Sequence, residues 1–380
     1  MDVSQLVATL VEEPGRPQSD LLEELGDAIC HQGDIYDAEA RFVVPYFFAF
    51  LPQALTKDKI HVLGLLGVLI RESWKQFPTP EESYRKNPLY RMLCEGIPIY
   101  RELLGSKNRE LRMLCAFLLG YCRSETVDIP GCLKAQYKQE SDEYVQFALI
   151  KALTLLQTLT NAERAEVFRT TISFVIRHAL SLAIAQVEGD ETPSAVAMVL
   201  LEGLLNTEAL DLAYNGAPYP TCALCAILDV TASFSQQRHI HLLITAIERY
   251  QITSRMALLH LITIIEHLFQ LAEFPQEVFP YTSRWITPIT CEMQYRARHG
   301  ARSEPFALTD LTGVQYQALL CLLHCEDFWR QKTNLLACIP SQQQEKLWLS
   351  FCKGLKRDWG SASDANKGHS CHINMYCITG

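Results

Sequence analysis

The feature that most constrains the fold of this chain is a helical pattern that recurs after 34 residues. Residues 111–120 align with residues 145–154, with a polar residue at the second position of each segment and small and large apolar residues through the middle. A period of this length, built of amphipathic helices, is typical of stacked helix pairs. One pair cannot bury its apolar stripe alone, so neighbouring pairs stack and present a long surface to a partner. The repeat therefore predicts an all-α protein that acts by binding.

The composition agrees with a well-packed body and disfavours two kinds of partner. The chain has 380 residues, 48% of them apolar, and a formal net charge of −9. A negative charge is unfavourable for tracking phosphates, which argues against a nucleic-acid partner. The longest apolar run, residues 62–70, is far shorter than the roughly 20 residues of a membrane span, and the first residues lack the basic segment of a secretory signal. We therefore expect a cytoplasmic protein with no membrane or nucleic-acid partner.

The chain contains 14 cysteines, and their surroundings suggest packing. Most lie within apolar helical segments, as Cys115 and Cys321 do, where a thiol acts as a small apolar group. Dense disulfide frameworks belong to short secreted chains. We expect these cysteines to be reduced and mostly buried.

Capping residues and periodicity place the first helices. Residues 19–30 form the first predicted helix, with Gly33 where a chain-reversing C-cap is expected. Residues 37–50 form a second helix that must tolerate Pro45. Residues 57–74 form a third helix.

The prolines of residues 77–83 predict a loop before the repeat, and further helices are predicted beyond it. Residues 161–186 are expected to form one long helix or two joined helices. Thr192 is the expected N-cap, followed by Pro193, of a helix over residues 195–205. Additional predicted helices lie at residues 243–248, 261–266, 309–325 and 341–355.

The character of the chain changes after Trp359. The following residues are small and polar, with no apolar stripe to bury, which predicts a flexible tail. The sequence thus predicts one helical domain over residues 1–358 and a short C-terminal tail over residues 359–380.

Residues 108–120 resemble the second helix of a HEAT repeat, with a polar start, a Leu-Arg pair, a small-residue stripe and a closing Leu-Gly. The matching segment, residues 142–153, departs from that pattern, since Gln146 stands where the family usually has Arg and Thr154 follows where it often has Gly. Residues 25–46 are similar to the N-terminal unit of a group of bacterial HEAT-repeat proteins. The resemblance covers roughly residues 20–160.

The resemblance implies a right-handed α-solenoid of HEAT-like (ARM/HEAT) antiparallel helix pairs. It also implies a non-catalytic protein–protein interaction module that binds its partner on a concave helical surface, as an immunity protein facing a toxin or as a scaffold. One alternative is a HEAT-like DNA alkylpurine glycosylase, which predicts a basic, aromatic-lined groove and is disfavoured by the acidic charge. Another alternative makes the helical body the carrier of a modified or metal-binding tail.

Two groups of cysteines invite chemical interpretations. Cys222 and Cys225 are predicted in the first turn of a helix, where the dipole lowers the pKa of a thiol, but no thioredoxin-like βαβ sequence surrounds them. Cys321, His324 and Cys325 share one helix face and could supply three metal ligands, with no fourth ligand identifiable. Packing in the core is the favoured interpretation of both groups.

Four histidines cluster in the sequence at His239, His241, His260 and His267, close to Glu248 and Glu266. The first two are spaced so that their rings point apart on a helix. No HExxH spacing, phosphate-binding loop or nucleophile elbow occurs, so the sequence predicts no catalytic residue, no cofactor site and no hydrolytic zinc site.

The tail holds the last candidate ligands, which are His369, Cys371, His372 and Cys377. These four could hold one zinc or copper ion, although their spacing is tighter than that of structural zinc sites. Ser370 and Thr379, with the two cysteines, are also residue types that thioether-forming maturation enzymes modify. A third interpretation is an exposed end with no assigned role.

Overall fold

The structure is a computed structural model that describes residues 3–12, 18–31, 34–76 and 80–250, together with residues 257, 260, 261, 263, 264 and 267. The described residues form helices almost throughout, which confirms the all-α class. The helices are α1 Val3–Glu12, α2 Ser19–Ile29, α3 Asp37–Phe50, α4 Thr56–Lys75, α5 Pro80–Lys86, α6 Pro88–Glu95, α7 Ile97–Leu104, α8 Arg109–Tyr121, α9 Ile129–Gln139, α10 Glu143–Leu155, α11 Asn161–Thr170, α12 Phe174–Glu188, α13 Ser194–Leu205, α14 Thr207–Asn215, α15 Ala223–Thr231 and α16 Gln236–Arg249. Two short strands, β1 Cys30–His31 and β2 Asp34–Ile35, pair antiparallel between α2 and α3.

The chain divides into two compact units. Unit 1 is drawn from Met1–Val187 and Glu208–Ala223, and unit 2 from Glu188–Thr207 and the chain from Leu224 onward. Within unit 2, α13 packs against α16. The predicted start of the tail at residue 359 lies outside the described residues, and the solenoid arrangement stays a prediction.

The first three predicted helices are confirmed. α2 begins at Ser19, α3 continues through Pro45, and α4 extends the predicted segment by one residue at each end. α2 is capped by Cys30 in an extended conformation, because the chain enters β1 there. Gly33, the predicted cap, lies outside the described residues.

Three expectations change in detail. The predicted loop at residues 77–83 is wrong from Pro80 onward, because a proline at the first helical position needs no N–H partner and begins α5. Residues 161–186 form two helices, α11 and α12. Thr192 is not the N-cap of α13, because Pro193 occupies that position. The Thr192 hydroxyl instead donates to the Gly189 carbonyl at 2.6 Å. The helices predicted at residues 309–325 and 341–355 lie outside the described residues.

The sequence repeat corresponds to two capped helices that pack side by side. Asn108 and Asp142, 34 positions apart, precede α8 and α10. The Asn108 side chain accepts from the Leu111 N–H at 3.0 Å, and the Asp142 side chain accepts from the Tyr144 N–H at 3.0 Å. α8 packs against α4, α7 and α10, and α10 also packs against α9. α8 and α10 are therefore equivalent in the sequence repeat and adjacent in unit 1.

The contact between α8 and α10 depends on Gly120. A Cβ atom at this position would lie 2.8 Å from the Cα of Ala152. That distance is shorter than any ordinary carbon–carbon contact, so only glycine allows the two backbones to approach so closely.

Glu140, just before α10, links the two repeats. Arg112 binds its carboxylate through Nε at 2.8 Å and Nη2 at 3.2 Å, and the Gln146 amide donates to the Glu140 carbonyl at 2.7 Å. Burial opposes the charged form, yet the hydrogen bonds from Arg112 and the Asp142 N–H keep the pKa of Glu140 below its ordinary value. Gln146 thus supports the same turn that Arg112 holds from the preceding repeat.

The core of unit 1 is apolar. Leu63, Leu118 and Leu149 have no exposed surface and belong to one continuous cluster of buried side chains from α1 to α10. None of the described helices is both long enough and apolar enough to cross a membrane.

The close packing of α8 on α10 predicts that alanine destabilises the fold at position 120 and is tolerated at position 64 of α4. Gly120→Ala should lower the free energy of unfolding by about 1–3 kcal/mol, because the new methyl group meets the backbone of α10. Gly64→Ala in α4 is the matched control, since its Cβ would have no neighbour within 4 Å. It should be neutral or raise the free energy of unfolding by up to about 1 kcal/mol through helix propensity. Urea denaturation of both variants measures the difference, and equal effects would contradict the close packing.

Candidate functional site

Unit 1 contains a cavity of about 1190 Å³. Its wall is built from α8, α10 and α12, with contributions from α4, α9, α11, α14 and the segment after α14. Small side chains on α10 and α12 leave the space open, among them Ala148, Ala152, Ala179 and Ala183. The repeat packing of α8 on α10 therefore forms one side of the candidate site.

Aromatic rings form a continuous part of the wall. Trp74 meets Tyr121 with ring centroids 5.4 Å apart, and Tyr121 meets Phe117 at 4.8 Å. Tyr219 continues the series, 5.2 Å from Phe117 and 5.8 Å from Tyr214. These five rings all line the cavity. Pairs at such separations stabilise one another, so the rings support each other in an apolar wall.

Lys151 of α10 places an ammonium group against this wall. Its Nζ lies 5.8 Å from the Tyr214 ring centroid and 5.9 Å from that of Tyr219. Both distances are within the range of cation–π attraction. Burial lowers the pKa of Lys151 to about 8. No carboxylate of the described residues forms an ion pair with it.

Behind the aromatic wall, His178 of α12 is completely buried. Its Nε2 lies 3.3 Å from the Tyr214 hydroxyl. Burial, reinforced by the positive charge of Lys151, lowers the pKa of His178 to about 3. The imidazole is therefore neutral at pH 7 and adds no charge to the cavity.

Two hydrogen-bond donors in the wall have no partner among the described residues. They are the Trp74 indole Nε1 and the Tyr219 hydroxyl, and both atoms are buried. Buried polar groups are normally hydrogen-bonded, and an unpaired one destabilises the fold. Both atoms are enclosed by neighbouring groups and do not face the open space of the cavity.

The charged residues of the wall share one sign. They are Lys75, Arg123, Lys151 and Arg164, and none of the described lining residues carries a carboxylate. Lys75 is 3.3 Å from Glu72, and Arg164 bonds to Asn161. Of the four, Lys151 is the cation placed directly against the aromatic rings. The cavity is thus positively charged within a chain whose net charge is −9.

The four histidines of the predicted cluster have different surroundings in the structure. His239 is buried in unit 2, where its Nε2 lies 3.2 Å from the Thr231 hydroxyl and its ring centroid 5.2 Å from that of His267. Burial lowers the pKa of His239 to about 4. His260 instead contacts the Thr207 hydroxyl through Nδ1. His241 lies on α16 and is half-buried.

Cys222 and Cys225 also have different surroundings in the structure. The core packing predicted for this pair is wrong for Cys222, which is exposed and precedes α15, while Cys225 is half-buried in the first turn of that helix. Among the described residues, no three His, Cys, Asp or Glu side chains form a group that could hold a metal ion. The candidate ligands at Cys321, His324 and Cys325, and those of the tail at His369, Cys371, His372 and Cys377, lie outside the described residues.

The sequence itself marks one residue of the cavity as unusual. Lys151 occupies the position equivalent to Phe117 in the 34-residue alignment, within an otherwise apolar helix. A cation inside an apolar stripe is unusual unless it has a partner or a function. Tyr214 and Tyr219 carry no comparable signal, because only the folded chain brings them to α10.

Comparison of the chain with protein-family models, with curated proteins and with solved structures finds no match. The resemblance of residues 20–160 to HEAT repeats accordingly stays a prediction. The function of this chain is therefore inferred from the residues of the cavity itself.

The desolvation of Lys151 predicts that its removal stabilises the fold. At pH 7, Lys151→Met should raise the free energy of unfolding by roughly 1–3 kcal/mol, because a partly buried charge is replaced by an apolar side chain. The folded pKa of about 8 lies below the unfolded value, so the stability of the wild type should rise relative to the variant between about pH 8 and 10.5. The exposed Lys138→Met is the control and should show neither effect. Urea denaturation across this pH range measures both, and a constant difference would contradict the desolvation.

Proposed function

We propose that this chain is a non-catalytic binding protein and that the cavity of unit 1 receives a segment of a partner protein. The observation that carries the proposal is the large, aromatic-lined cavity with the Lys151 ammonium group against its rings. A preformed site of this kind is the default location for a binding function.

The size of the cavity favours a peptide segment over a compact metabolite. Pockets for small ligands commonly occupy about 300–1000 Å³. The volume here, about 1190 Å³, exceeds that range and has room for several amino-acid side chains. Tyrosine and tryptophan are also enriched where proteins bind one another, because they offer an apolar surface and a polar group together.

The chemistry of the wall supports binding over catalysis. None of the described lining residues is an aspartate, a glutamate or a histidine, so the described wall offers no carboxylate or imidazole for acid–base catalysis. Cys122 lines the cavity, but burial raises the pKa of its thiol well above the ordinary value. A protonated, buried thiol is a poor nucleophile. The partner proposed from the HEAT-like resemblance is a toxin bound by an immunity protein, or another protein bound by a scaffold.

One observation favours a second candidate, the DNA alkylpurine glycosylase. That function predicts a basic, aromatic-lined groove, and the cavity has both properties. Cleavage of a glycosidic bond, however, passes through an oxocarbenium-like transition state that carboxylates stabilise. The described wall presents cations to the space instead. Salt-sensitive binding of duplex DNA in a gel shift would support this candidate, and its absence would eliminate it.

Blocking the cavity tests the binding proposal. Gln186 and Thr221 line it, and Gln186 is exposed. We expect the double variant Gln186→Trp/Thr221→Trp, termed the blocked variant, to lose a partner that the wild type captures from cells of the source organism at a stoichiometric level. Gln139→Trp, at an exposed position of α9 that does not line the cavity, should retain the partner.

Quantitative mass spectrometry of the captured proteins measures the outcome. Retention of the partner by the blocked variant would show that the cavity is not the binding site. Failure of the wild type to capture any stoichiometric partner would overturn the proposal of a protein-binding function.

A further inference from the structure

We infer that the segment held in the cavity is acidic: an apolar peptide with an Asp or Glu carboxylate that pairs with Lys151. This inference rests on the proposed function and adds the chemistry of the partner.

Charge complementarity indicates that the ligand is negatively charged. Four cationic side chains line the cavity, and no carboxylate of the described residues shares the wall with them. The chain as a whole carries a charge of −9, so this accumulation of positive charge is local. A basic peptide would be repelled within this space, whereas an acidic peptide would be attracted.

Lys151 gives the hydrogen-bonding character of the ligand. Its ammonium group lies against the aromatic wall and can only donate hydrogen bonds. A carboxylate is an acceptor and carries no proton at pH 7. It therefore satisfies this donor better than an amide, which must also place its own N–H groups.

The surroundings of Lys151 strengthen such a pair. Its Nζ lies near the Tyr214 and Tyr219 rings and has no ion pair among the described residues. In partly desolvated surroundings, a charge-assisted hydrogen bond is shorter and stronger than one between neutral groups. The aromatic rings and alanine side chains around the lysine would contact the apolar part of the same peptide.

Peptide selection on the full-length chain tests this inference. The probe is a library of random twelve-residue peptides displayed on phage, with the immobilised wild type as target and the blocked variant used to remove peptides that bind elsewhere. We expect the enriched peptides to combine Asp or Glu with aromatic or large aliphatic residues. Each is then synthesised with its acidic residue intact and with Glu→Gln or Asp→Asn.

Variants at position 151 test whether Lys151 is the cation that pairs with the acidic peptide. The neutral peptide should bind the wild type roughly 10- to 100-fold more weakly than the acidic one, which is the size expected for loss of a charged hydrogen bond. Lys151→Met should reduce the affinity for the acidic peptide by a similar factor, Lys151→Arg should restore most of it, and the control Lys138→Met should leave it unchanged. Since Lys151→Met is expected to be more stable than the wild type, its loss of affinity would not reflect unfolding.

The pH dependence supplies a readout that a purely structural lysine would not give. The affinity of the wild type for the acidic peptide should fall above about pH 8, as Lys151 loses its proton, whereas the Lys151→Arg variant should keep its affinity. The groups that face Lys151 do not titrate in this range. Burial raises the pKa of Tyr214 and Tyr219 above their ordinary values, and the pKa of His178 is lowered to about 3.

Two failures can be told apart. If no enriched peptide distinguishes the wild type from the blocked variant, the cavity does not receive a peptide and the proposed function fails there. If cavity-dependent peptides are enriched but lack acidic residues, or bind equally well after Lys151→Met, the proposed function stands and the acidic ligand is overturned.

Discussion

The close approach of α8 and α10 is the constraint on which unit 1 depends. Gly120 lets the backbone of α10 pass within contact of α8 at Ala152. α8 in turn packs against α4 and α7, so its position affects most of the unit. Phe117 lies one turn before Gly120 on the same helix and reaches the cavity wall together with Ala148 and Ala152 of α10. The contact that holds the two repeats together therefore also shapes the candidate site.

The cavity carries features that lower the stability of the free protein. Lys151 is desolvated, and the Trp74 indole and Tyr219 hydroxyl are buried without partners among the described residues. Each of these features is unfavourable for folding unless something else offsets it. A negatively charged ligand beside Lys151 would offset the desolvation of that lysine. A binding site is expected to contain such destabilising features where its function requires them.

The local elements could be predicted from the sequence, whereas the site could not. Caps and periodicity located α2, α3 and α4, and the repeat located α8 and α10, because these signals act within a few residues of one another. The cavity depends on contacts across the fold, such as that between Lys151 of α10 and Tyr214 of α14. No local pattern records that pairing. The burial of His178 behind Tyr214 likewise could not be predicted from a local sequence pattern, because it depends on how α12 packs.

The departures from the repeat pattern are more informative than the matches. Gln146, in place of the usual arginine, still binds the turn at Glu140, so this departure preserves a structural role. Lys151, opposite Phe117 in the alignment, and Thr154, in place of the usual glycine, both line the cavity. A sequence that otherwise satisfies the rules of its fold tends to break them at functional positions. On α10, Lys151 and Thr154 are two such departures, and both lie in the wall of the site.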